Sequence, residues 1–377
     1  YNDTKFGKDG SSTYSSISFN AKADYQFDNN DVITGGFDML SYNLNAEYKN
    51  SYNYIITPFD DLLDLGLYLK YKFTQISNFL LDLGFRYNIT KVEMERNDLL
   101  EPRVNLRLKL SPWLSFKASA TKMHQLIVSN IDEDDIIPLF ETWTTIKKPL
   151  KPEESNQYVI GFDLWVMDNI NLVIQGYKKS NYNLAVYNLE RKSKEDDDFI
   201  SGDGDSKGIE TLVKFRFMNF NGWITYNLGW AEKRDNNIRY APRYDKRHSL
   251  SIIVNIPFIY EIKLSANWDY STGMPFTPIT GFFQQPDLGD VTKPDNLDGL
   301  ITHTRFGSKN SFRLPNYHKL DLHFSRMLDL FDFAKTEISM DVTNLYDRKN
   351  LFYYKQENGE RINMLPFFIS FSVGIEI

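Results

Sequence analysis

Apolar and polar residues alternate one by one along most of this chain, and this alternation limits the possible fold more than any other feature. The first clear example has apolar residues at every second position: Ile17, Phe19, Ala21, Ala23, Tyr25 and Phe27. Successive side chains of a β-strand point to opposite faces, so such a segment has one apolar and one polar face. The pattern recurs in Leu65–Phe73, Val104–Leu110, Ile209–Phe217, Ile262–Tyr270 and Ile369–Ile377. No window keeps the apolar spacing of a helix for long, so the sequence predicts an all-β fold.

The composition excludes several classes of protein. Aromatic residues make up 15% of the 377 residues, although 25% are charged and the mean hydropathy is −0.44. No apolar run approaches the roughly 18 residues of a transmembrane helix, and so many aromatic rings argue against a disordered chain. The net charge of −7 without a basic tail gives no sign of a nucleic-acid partner. The absence of cysteine excludes disulfides, thiolate metal sites and thiol catalysis.

The connections between the predicted strands are alternately short and long, as in a transmembrane antiparallel β-barrel with short periplasmic turns and long extracellular loops. The predicted short turns are Asp28–Asn30, Gln75–Asn78, Ser111–Pro112, Met167–Asn169, Met218–Gly222, Pro257–Glu261 and Leu328–Ala334. The predicted long links are Asn50–Asp64, Lys91–Glu101, His124–Glu153, Lys179–Ser206, Ala231–Lys246, Ser271–Asn316 and Leu345–Leu365.

The charges on the polar faces indicate a wide, wet lumen, because the interior of a small barrel would be apolar. These charged positions are Lys22, Asp24, Arg86, Arg107, Lys109, Glu210, Lys214, Arg216 and Asp321. We count about 15 strands, and the last one runs toward the periplasm if the short turns lie there. The first strand then starts on the extracellular side. We therefore expect residues 1–377 to be the C-terminal portion of a larger barrel with further strands upstream.

Six segments carry motifs that follow one another in a recognisable order: Glu101–Asn105, Ser119–Gln125, Leu150–Tyr158 with Gly161, Gly202–Glu210, Tyr244–His248 and Val342–Asn350. Their letters read EPRVN, SATKMHQ, LKPEESNQY, GDGDSKGIE, YDKRH and VTNLYDRKN. Together they resemble the C-terminal barrel of TonB-dependent outer-membrane receptors in the form found in Bacteroidota. The resemblance implies a 22-stranded barrel of the Gram-negative outer membrane whose lumen holds an N-terminal plug, absent from this sequence.

The same resemblance implies the function and the partners. Extracellular loops would bind a scarce solute, glycan or peptide, and a TonB-type protein acting on the missing plug would supply the energy for its import. A surface lipoprotein and outer-membrane lipid are further expected partners, and neither a cofactor nor catalysis is expected. The alternative is a passive porin or a structural barrel of an outer-membrane assembly. An upstream plug of about a hundred residues would distinguish the two, since only an active transporter needs one.

Two sets of residues are candidates for function. Aromatic rings in the long links, which either stack on a solute or pack the loops together, are Phe140, Trp143, Phe276, Phe282 and Phe283. The apolar positions of the last strand, which the barrel-assembly machinery would recognise, are Phe371, Val373, Ile375 and Ile377. The final residue departs from the resemblance, because the family usually ends in an aromatic residue.

No motif in the sequence supports a metal site or an active site. Two acidic runs, Asp132–Asp135 and Glu195–Asp198, lie in predicted loops and are read as solvated. The segment Asp203–Lys214 has the glycine of a calcium-binding EF-hand loop, but Lys207 and Lys214 stand where oxygen ligands are needed. The five histidines lack metal-binding spacing, and His248 near Asp245 is explained by the YDKRH motif.

Overall fold

A computed structural model describes residues 2–6, 10–49, 55–56, 59–92, 94–130, 142–146, 148–188, 196–197, 199–286, 300–331, 334–355 and 359–376. The chain divides into two compact units, one composed of Tyr1–Asp132, Pro138–Phe217 and Trp223–Arg239, the other of Glu133–Ile137, Met218–Gly222 and Tyr240–Ile377. Within the described residues, no helix is long and apolar enough to span a membrane.

The first unit consists of antiparallel strands that follow one another along the chain. They are β1 (Asn2–Phe6), β2 (Gly10–Gln26), β3 (Val32–Lys49), β4 (Ile55–Ile56), β5 (Phe59–Phe73), β6 (Phe79–Val92), β7 (Glu95–Ser111), β8 (Leu114–Gln125), β9 (Ile127–Asn130), β10 (Thr142–Thr145), β11 (Glu153–Met167), β12 (Ile170–Tyr187), β13 (Phe199–Phe217), β14 (Phe220–Asp235) and β15 (Ile238–Tyr240). The first three residues of β14 and the last residue of β15 are assigned to the second unit. The long strands from β2 to β13 pair in chain order, and β9 and β10 form a separate hairpin between β8 and β11.

The second unit continues this up-and-down arrangement. It contains β16 (His248–Pro257), a short 3₁₀ turn (Ile259–Glu261), β17 (Lys263–Ser271), β18 (Pro275–Phe276), β19 (Ile279–Pro286), β20 (Leu300–Phe306), β21 (Phe312–Arg313), β22 (Tyr317–Phe331), β23 (Ala334–Thr343), β24 (Leu351–Tyr354), β25 (Arg361–Asn363) and β26 (Phe368–Glu376). Strands β16, β17, β22, β23 and β26 pair in that order, and three short hairpins lie in the links between them. Fifteen strands of the described residues have nine or more residues, which confirms the predicted number.

The pairing register keeps apolar side chains on one face of the sheet and polar side chains on the other across neighbouring strands. Phe19 lies opposite Met39, and Met39 lies opposite Leu65, all on one apolar face. Its side chains stay exposed, for example Ile17 at 72% and Phe19 at 55%. A soluble protein would bury such a face, whereas lipid is the solvent that suits it. Below, the two sides of the sheet are called the apolar face and the polar face.

The buried apolar residues form a small cluster on the polar face of the first unit. It contains Tyr42, Leu44, Leu62, Val92, Leu99 and Leu126. The cluster lies toward the strand ends that carry the long links, here called the loop end; the opposite end is the turn end. Ile127 of β9 packs against it. The first unit therefore has no large apolar interior among its described residues, as expected for a wall with water on one side.

Several predicted long links are shorter in the structure, because β5 begins at Phe59, β12 extends to Tyr187, β13 begins at Phe199 and β14 extends to Asp235. One predicted link is a paired hairpin. The residues from Lys91 to Glu101 were expected to be a loop, but β6 and β7 run through them, with Val92 paired to Glu95 and Lys91 to Arg96. Charged side chains occur on both faces of this segment, so the one-by-one alternation is interrupted, although Val92 and Leu99 are buried. The hydrogen bonds between the neighbouring strands nevertheless extend the hairpin to its tip.

Candidate functional site

Charges line the polar face in matched pairs. Lys117 Nζ lies 2.7 Å from Asp163 Oδ2, and Lys70 Nζ lies 3.3 Å from Asp82 Oδ1. In the second unit Lys319 pairs with Asp321, and His323 Nδ1 lies 2.7 Å from Asp341 Oδ1. Exposed pairs of this kind contribute at most about 1 kcal/mol each to stability. They make the wall hydrophilic, which suits the passage of a polar solute.

A cavity of about 270 Å³ lies at the loop end of the second unit. Four segments far apart in the chain form it: the stretch after β17, Leu314 after β21, the β24–β25 hairpin and Arg243, which precedes β16. We call it the rim pocket. Its lining is Arg243, Met274, Pro275, Phe276, Thr277, Pro278, Ile279, Leu314, Phe352, Tyr353, Tyr354, Lys355 and Gly359.

Aromatic rings dominate the rim pocket. The ring centroid of Phe276 lies 6.0 Å from that of Tyr354 and 6.4 Å from that of Phe312. The rings of Phe352 and Tyr353 are 5.5 Å apart in an edge-to-face arrangement. Such rings present large apolar areas while the tyrosine hydroxyls can form hydrogen bonds. The pocket can therefore hold a flat or ring-containing solute.

Two cations lie among these rings. Lys355 Nζ forms an ion pair of 2.7 Å with Glu360 Oε2, and Arg243 lines the same cavity. The β24–β25 hairpin turns back at Gly359, whose φ of +69° is a conformation that glycine adopts without strain. The pocket thus combines ring surfaces with charged side chains.

The floor of the rim pocket is held by backbone contacts between β18 and β21. The Leu314 amide donates a hydrogen bond of 2.9 Å to the Met274 carbonyl, and Phe276 pairs with Phe312. A β-carbon on Gly273 would lie 1.5 Å from the Leu314 carbonyl oxygen, so this crossing requires glycine.

A buried carboxylate holds the neighbouring strand ends together. The Asp245 side chain is 1% exposed, and Arg313 Nη2 donates a hydrogen bond to its Oδ2. Arg313 Nη1 donates to the carbonyl oxygens of Asp245 and Gly273 at 2.8 and 3.1 Å. Arg247 lies 3.5 Å from the same carboxylate. The aspartate of the YDKRH motif is thus a structural anchor beneath the rim pocket.

These features agree with a family comparison. The profile of the family described as TonB dependent receptor-like, beta-barrel, matches residues 1–345. The chain belongs to this family. It is therefore a transmembrane barrel segment of the outer membrane of a Gram-negative bacterium, and its family consists of receptors and transporters. A comparison with curated protein sequences finds no significant match.

Solved structures show the same fold at low sequence identity. The ferripyoverdine receptor of Pseudomonas aeruginosa matches with a TM-score of 0.62 and 14% identity over 97% of this chain and 48% of its own. The ferric yersiniabactin uptake receptor FyuA from Yersinia pestis has a TM-score of 0.63 and 15% identity over 97% and 54%. The copper transporter OprC matches with a TM-score of 0.63 and 11% identity over 97% of this chain and 58% of its own. This receptor barrel segment thus spans about half the length of these structures.

Among the predicted rings that the structure describes, one lies in the rim pocket of the receptor barrel. Phe276 lines it, whereas Phe282 and Phe283 lie on β19 and are 48% and 51% exposed. Trp143 is on β10 and 44% exposed, and Phe140 lies outside the described residues. The sequence reading missed Phe352, Tyr353, Tyr354 and Arg243. The run of three rings from Phe352 to Tyr354 within a polar link was the available signal.

The last strand of the receptor barrel places its predicted residues on the apolar face. Phe371, Val373 and Ile375 are 74%, 66% and 65% exposed, and Val373 lies opposite Ile338 of β23. Ile377 lies outside the described residues. Recognition of this strand by the assembly machinery stays a prediction.

The segment that resembles a calcium loop is a strand in the receptor barrel. Residues 203–214 lie within β13, and Asp203 forms an ion pair of 2.6 Å with Arg234. Among the described residues, no group of three or more His, Asp or Glu side chains could hold a metal ion. The run Asp132–Asp135 lies outside the described residues, as do Glu195 and Asp198 of the second acidic run.

Proposed function

We propose that this chain is the C-terminal barrel portion of an outer-membrane receptor that captures a scarce solute at its loop end and imports it with TonB-supplied energy. The observation that carries the proposal is the rim pocket, an aromatic and charged cavity at the ends of strands with a hydrophilic wall. A porin that only passes solutes needs the wall but not the pocket.

The pocket supports capture at low concentration. Stacking of a ring against an aromatic side chain is worth about 0.5–1.5 kcal/mol beyond the area it buries. Two such contacts therefore change a dissociation constant by roughly tenfold or more, because 1.4 kcal/mol is a factor of ten. Arg243, Lys355 and the Glu360 carboxylate paired with Lys355 add polar groups beside these rings.

The wall below the pocket supports passage. On β22, Lys319 and Asp321 point to the polar face with Asp269 and Asn267 of β17 opposite them. Paired charges keep this surface wet without a large net field, so a polar solute would move along it without a strong trap. The energy-coupled step would need a plug and a TonB partner. The chain spans only about half of its structural relatives, which leaves room for a plug in the whole protein.

The test is energy-dependent uptake by the complete reading frame in a host lacking the native gene. The probes are a ferric siderophore mixture labelled with radioactive iron, labelled cobalamin, and labelled oligosaccharide and peptide pools. We expect uptake of one probe class that a protonophore abolishes. A double substitution of Phe276 and Tyr354 to Ala should raise the half-saturating concentration about tenfold. The matched control is Phe283→Ala, which removes an exposed ring outside the pocket.

The alternative functions give different results. A passive porin would show uptake of several probe classes that the protonophore leaves intact, and open-channel conductance in a planar bilayer. A structural barrel would show no uptake of any probe while its loss disturbs a surface assembly. Either result would overturn the proposal.

A further inference from the structure

Two lysines lie side by side on the apolar face of the first unit. Lys178 of β12 is directly opposite Lys207 of β13 in the pairing register. On the same face, Gly176 lies opposite Ile209 and Ile174 lies opposite Thr211. Gln175 and Glu210 lie on the polar face and are joined by a hydrogen bond of 2.6 Å. Both lysines are exposed. Within the described residues, neither forms an ion pair or a hydrogen bond through its side chain.

This arrangement is unfavourable without a bound anion. Directly opposite residues of an antiparallel pair have β-carbons about 4.5–5.5 Å apart, and like charges at such positions destabilise the sheet. The nearby acids are engaged by other groups. Asp205 accepts a hydrogen bond of 2.7 Å from Ser180 Oγ, and Asp203 pairs with Arg234. The Ser180 hydroxyl is neutral and leaves the charge of Asp205 in place, so the two ammonium groups face one nearby carboxylate and the site keeps a net positive charge.

The site lies at the outer boundary of the apolar face. On β13, the alternate positions Ile209, Thr211, Val213, Phe215 and Phe217 separate Lys207 from the turn end. Ten residues at about 3.3 Å each, along a strand tilted by about 40°, rise about 25 Å, the height of the apolar band of an outer-membrane barrel. Lys178 and Lys207 therefore lie where the outer-leaflet headgroups begin, and lysine side chains extend readily into that layer.

An apolar notch lies directly below Lys178. Gly176 is paired with Ile160 on one side and Ile209 on the other, and these isoleucines are 61% and 48% exposed. A β-carbon at Gly176 would meet nothing nearer than the Gly208 carbonyl oxygen at 3.8 Å, so strand packing does not require glycine there. The missing side chain leaves room for an acyl chain between the two isoleucines. Tyr158, 55% exposed, lies opposite Lys178 and adds a hydroxyl to the same row.

We propose that Lys178 and Lys207 form a binding site for the phosphate monoester headgroup of an outer-leaflet lipid, with an acyl chain of that lipid in the notch at Gly176. A phosphate monoester carries close to two negative charges at neutral pH and matches two adjacent ammonium groups. Each ammonium forms a charge-assisted hydrogen bond to a phosphate oxygen at about 2.7–2.9 Å. The boundary position and the notch favour a lipid over a free phosphate ion, which would gain nothing from either.

The test is lipid retention by the full-length protein purified in detergent and measured by native mass spectrometry. The probes are dioleoyl phosphatidic acid, which has a phosphate monoester, and dioleoyl phosphatidylcholine, which has the same chains and a zwitterionic headgroup. Inorganic phosphate is the third probe. We expect the wild type to retain phosphatidic acid, and a double substitution of Lys178 and Lys207 to Gln to reduce this retention about tenfold or more. The double substitution to Arg should retain the lipid.

A matched control separates the site from general charge effects. Lys214 lies on the same strand as Lys207 but on the polar face, opposite Asn171. Lys214→Gln removes the same charge and should leave retention unchanged. Equal retention of phosphatidic acid by the double Gln variant, or equal retention of phosphatidylcholine by the wild type, would overturn the proposal. Competition by inorganic phosphate at concentrations similar to those of the lipid would also overturn it, because the site would then be a simple anion site.

Thermal stability provides a measurement that is independent of retention. In detergent without anionic lipid, Lys207→Gln should raise the melting temperature or leave it unchanged, because it relieves the repulsion with Lys178. Added phosphatidic acid should raise the melting temperature of the wild type and not that of the variant. A lower melting temperature of the variant without lipid would contradict the proposed repulsion, and a failure of the lipid to stabilise the wild type would contradict binding.

Discussion

The Tyr71 hydroxyl donates a hydrogen bond of 2.6 Å to Asp31 Oδ2 and so ties β5 to the turn between β2 and β3. The Thr74 amide donates to Asp31 Oδ1 at 2.7 Å, and Gln75 Nε2 donates to Oδ2 at 2.8 Å. Asp31 is only 1% exposed. One carboxylate therefore joins two neighbouring turns at the turn end of the first unit.

This carboxylate predicts a pH dependence. Burial alone would raise the pKa of Asp31, but the hydrogen bonds from Tyr71, Gln75 and Thr74 outweigh burial and lower this pKa from 3.8 to about 2. A lowered pKa stabilises the folded turns fully above about pH 4, and the stabilisation is lost as the pH falls through about 2. We expect hydrogen exchange at the Thr74 amide to be slower in the wild type than in Asp31→Asn near pH 5 and equal near pH 2. A difference that persists unchanged at about pH 2 would contradict this assignment.

The contact between Asp245 and Arg313 predicts a large loss of stability in the second unit. Removing one partner of a fully buried ion pair costs about 3–5 kcal/mol, and because Arg313 is 37% exposed we expect about 2–3 kcal/mol for Asp245→Asn. The loss of stability is measured as a shift in the urea concentration at which limited proteolysis first cleaves half of the protein between residues 272 and 316. The matched control is Asp203→Asn, which breaks the exposed pair with Arg234 and should cost less than about 1 kcal/mol. Equal effects of the two substitutions would show that Asp245 is not an anchor.

Alternation was sufficient to predict the strands and their faces because it reports directly which side of each strand meets lipid. Ile17 and Phe19 were assigned to the apolar face from spacing alone, and they are 72% and 55% exposed there. The strand ends were less predictable. Between Lys91 and Glu101 charged residues fall on both faces, so the periodic signal is interrupted, and pairing between β6 and β7 decides the structure.

The rim pocket could not be predicted because its parts come together only through long-range contacts. Phe276 and Tyr354 are 78 residues apart in the chain, yet their rings are 6.0 Å apart. Phe282 and Phe283 are much nearer to Phe276 in sequence, but they lie further along β19 and do not line the pocket. Local composition shows which links are rich in aromatic residues, whereas the choice among their rings depends on how β18, β21 and β24 cross.

Gly273 predicts a severe steric effect at the floor of the rim pocket. An alanine β-carbon would lie 1.5 Å from the Leu314 carbonyl oxygen, so the crossing of β18 and β21 must open. We expect Gly273→Ala to cost about 3 kcal/mol, the upper end for overpacking, and to speed hydrogen exchange at the Leu314 amide. Gly281→Ala is the control, because nothing lies within 4 Å of its added β-carbon. If exchange at Leu314 is equally slow in both variants, the close approach does not hold the pocket floor.

The last strand predicts opposite effects of arginine on its two faces. Val373 is 66% exposed on the apolar face, so Val373→Arg places a charge in lipid at a cost of up to about 2–4 kcal/mol. Ser370 lies opposite Asp341 on the polar face, where Ser370→Arg meets water and a carboxylate and should be tolerated. The measurement is the fraction of full-length protein that reaches the outer membrane in a heat-modifiable, folded form.

Phe371→Leu, which keeps the apolar character but removes the ring, then tests recognition by the assembly machinery. If Phe371→Leu assembles normally while Val373→Arg fails to fold in the membrane, the defect comes from a charge in lipid and not from recognition of the ring. If Val373→Arg is tolerated, the assignment of Val373 to the apolar face is wrong.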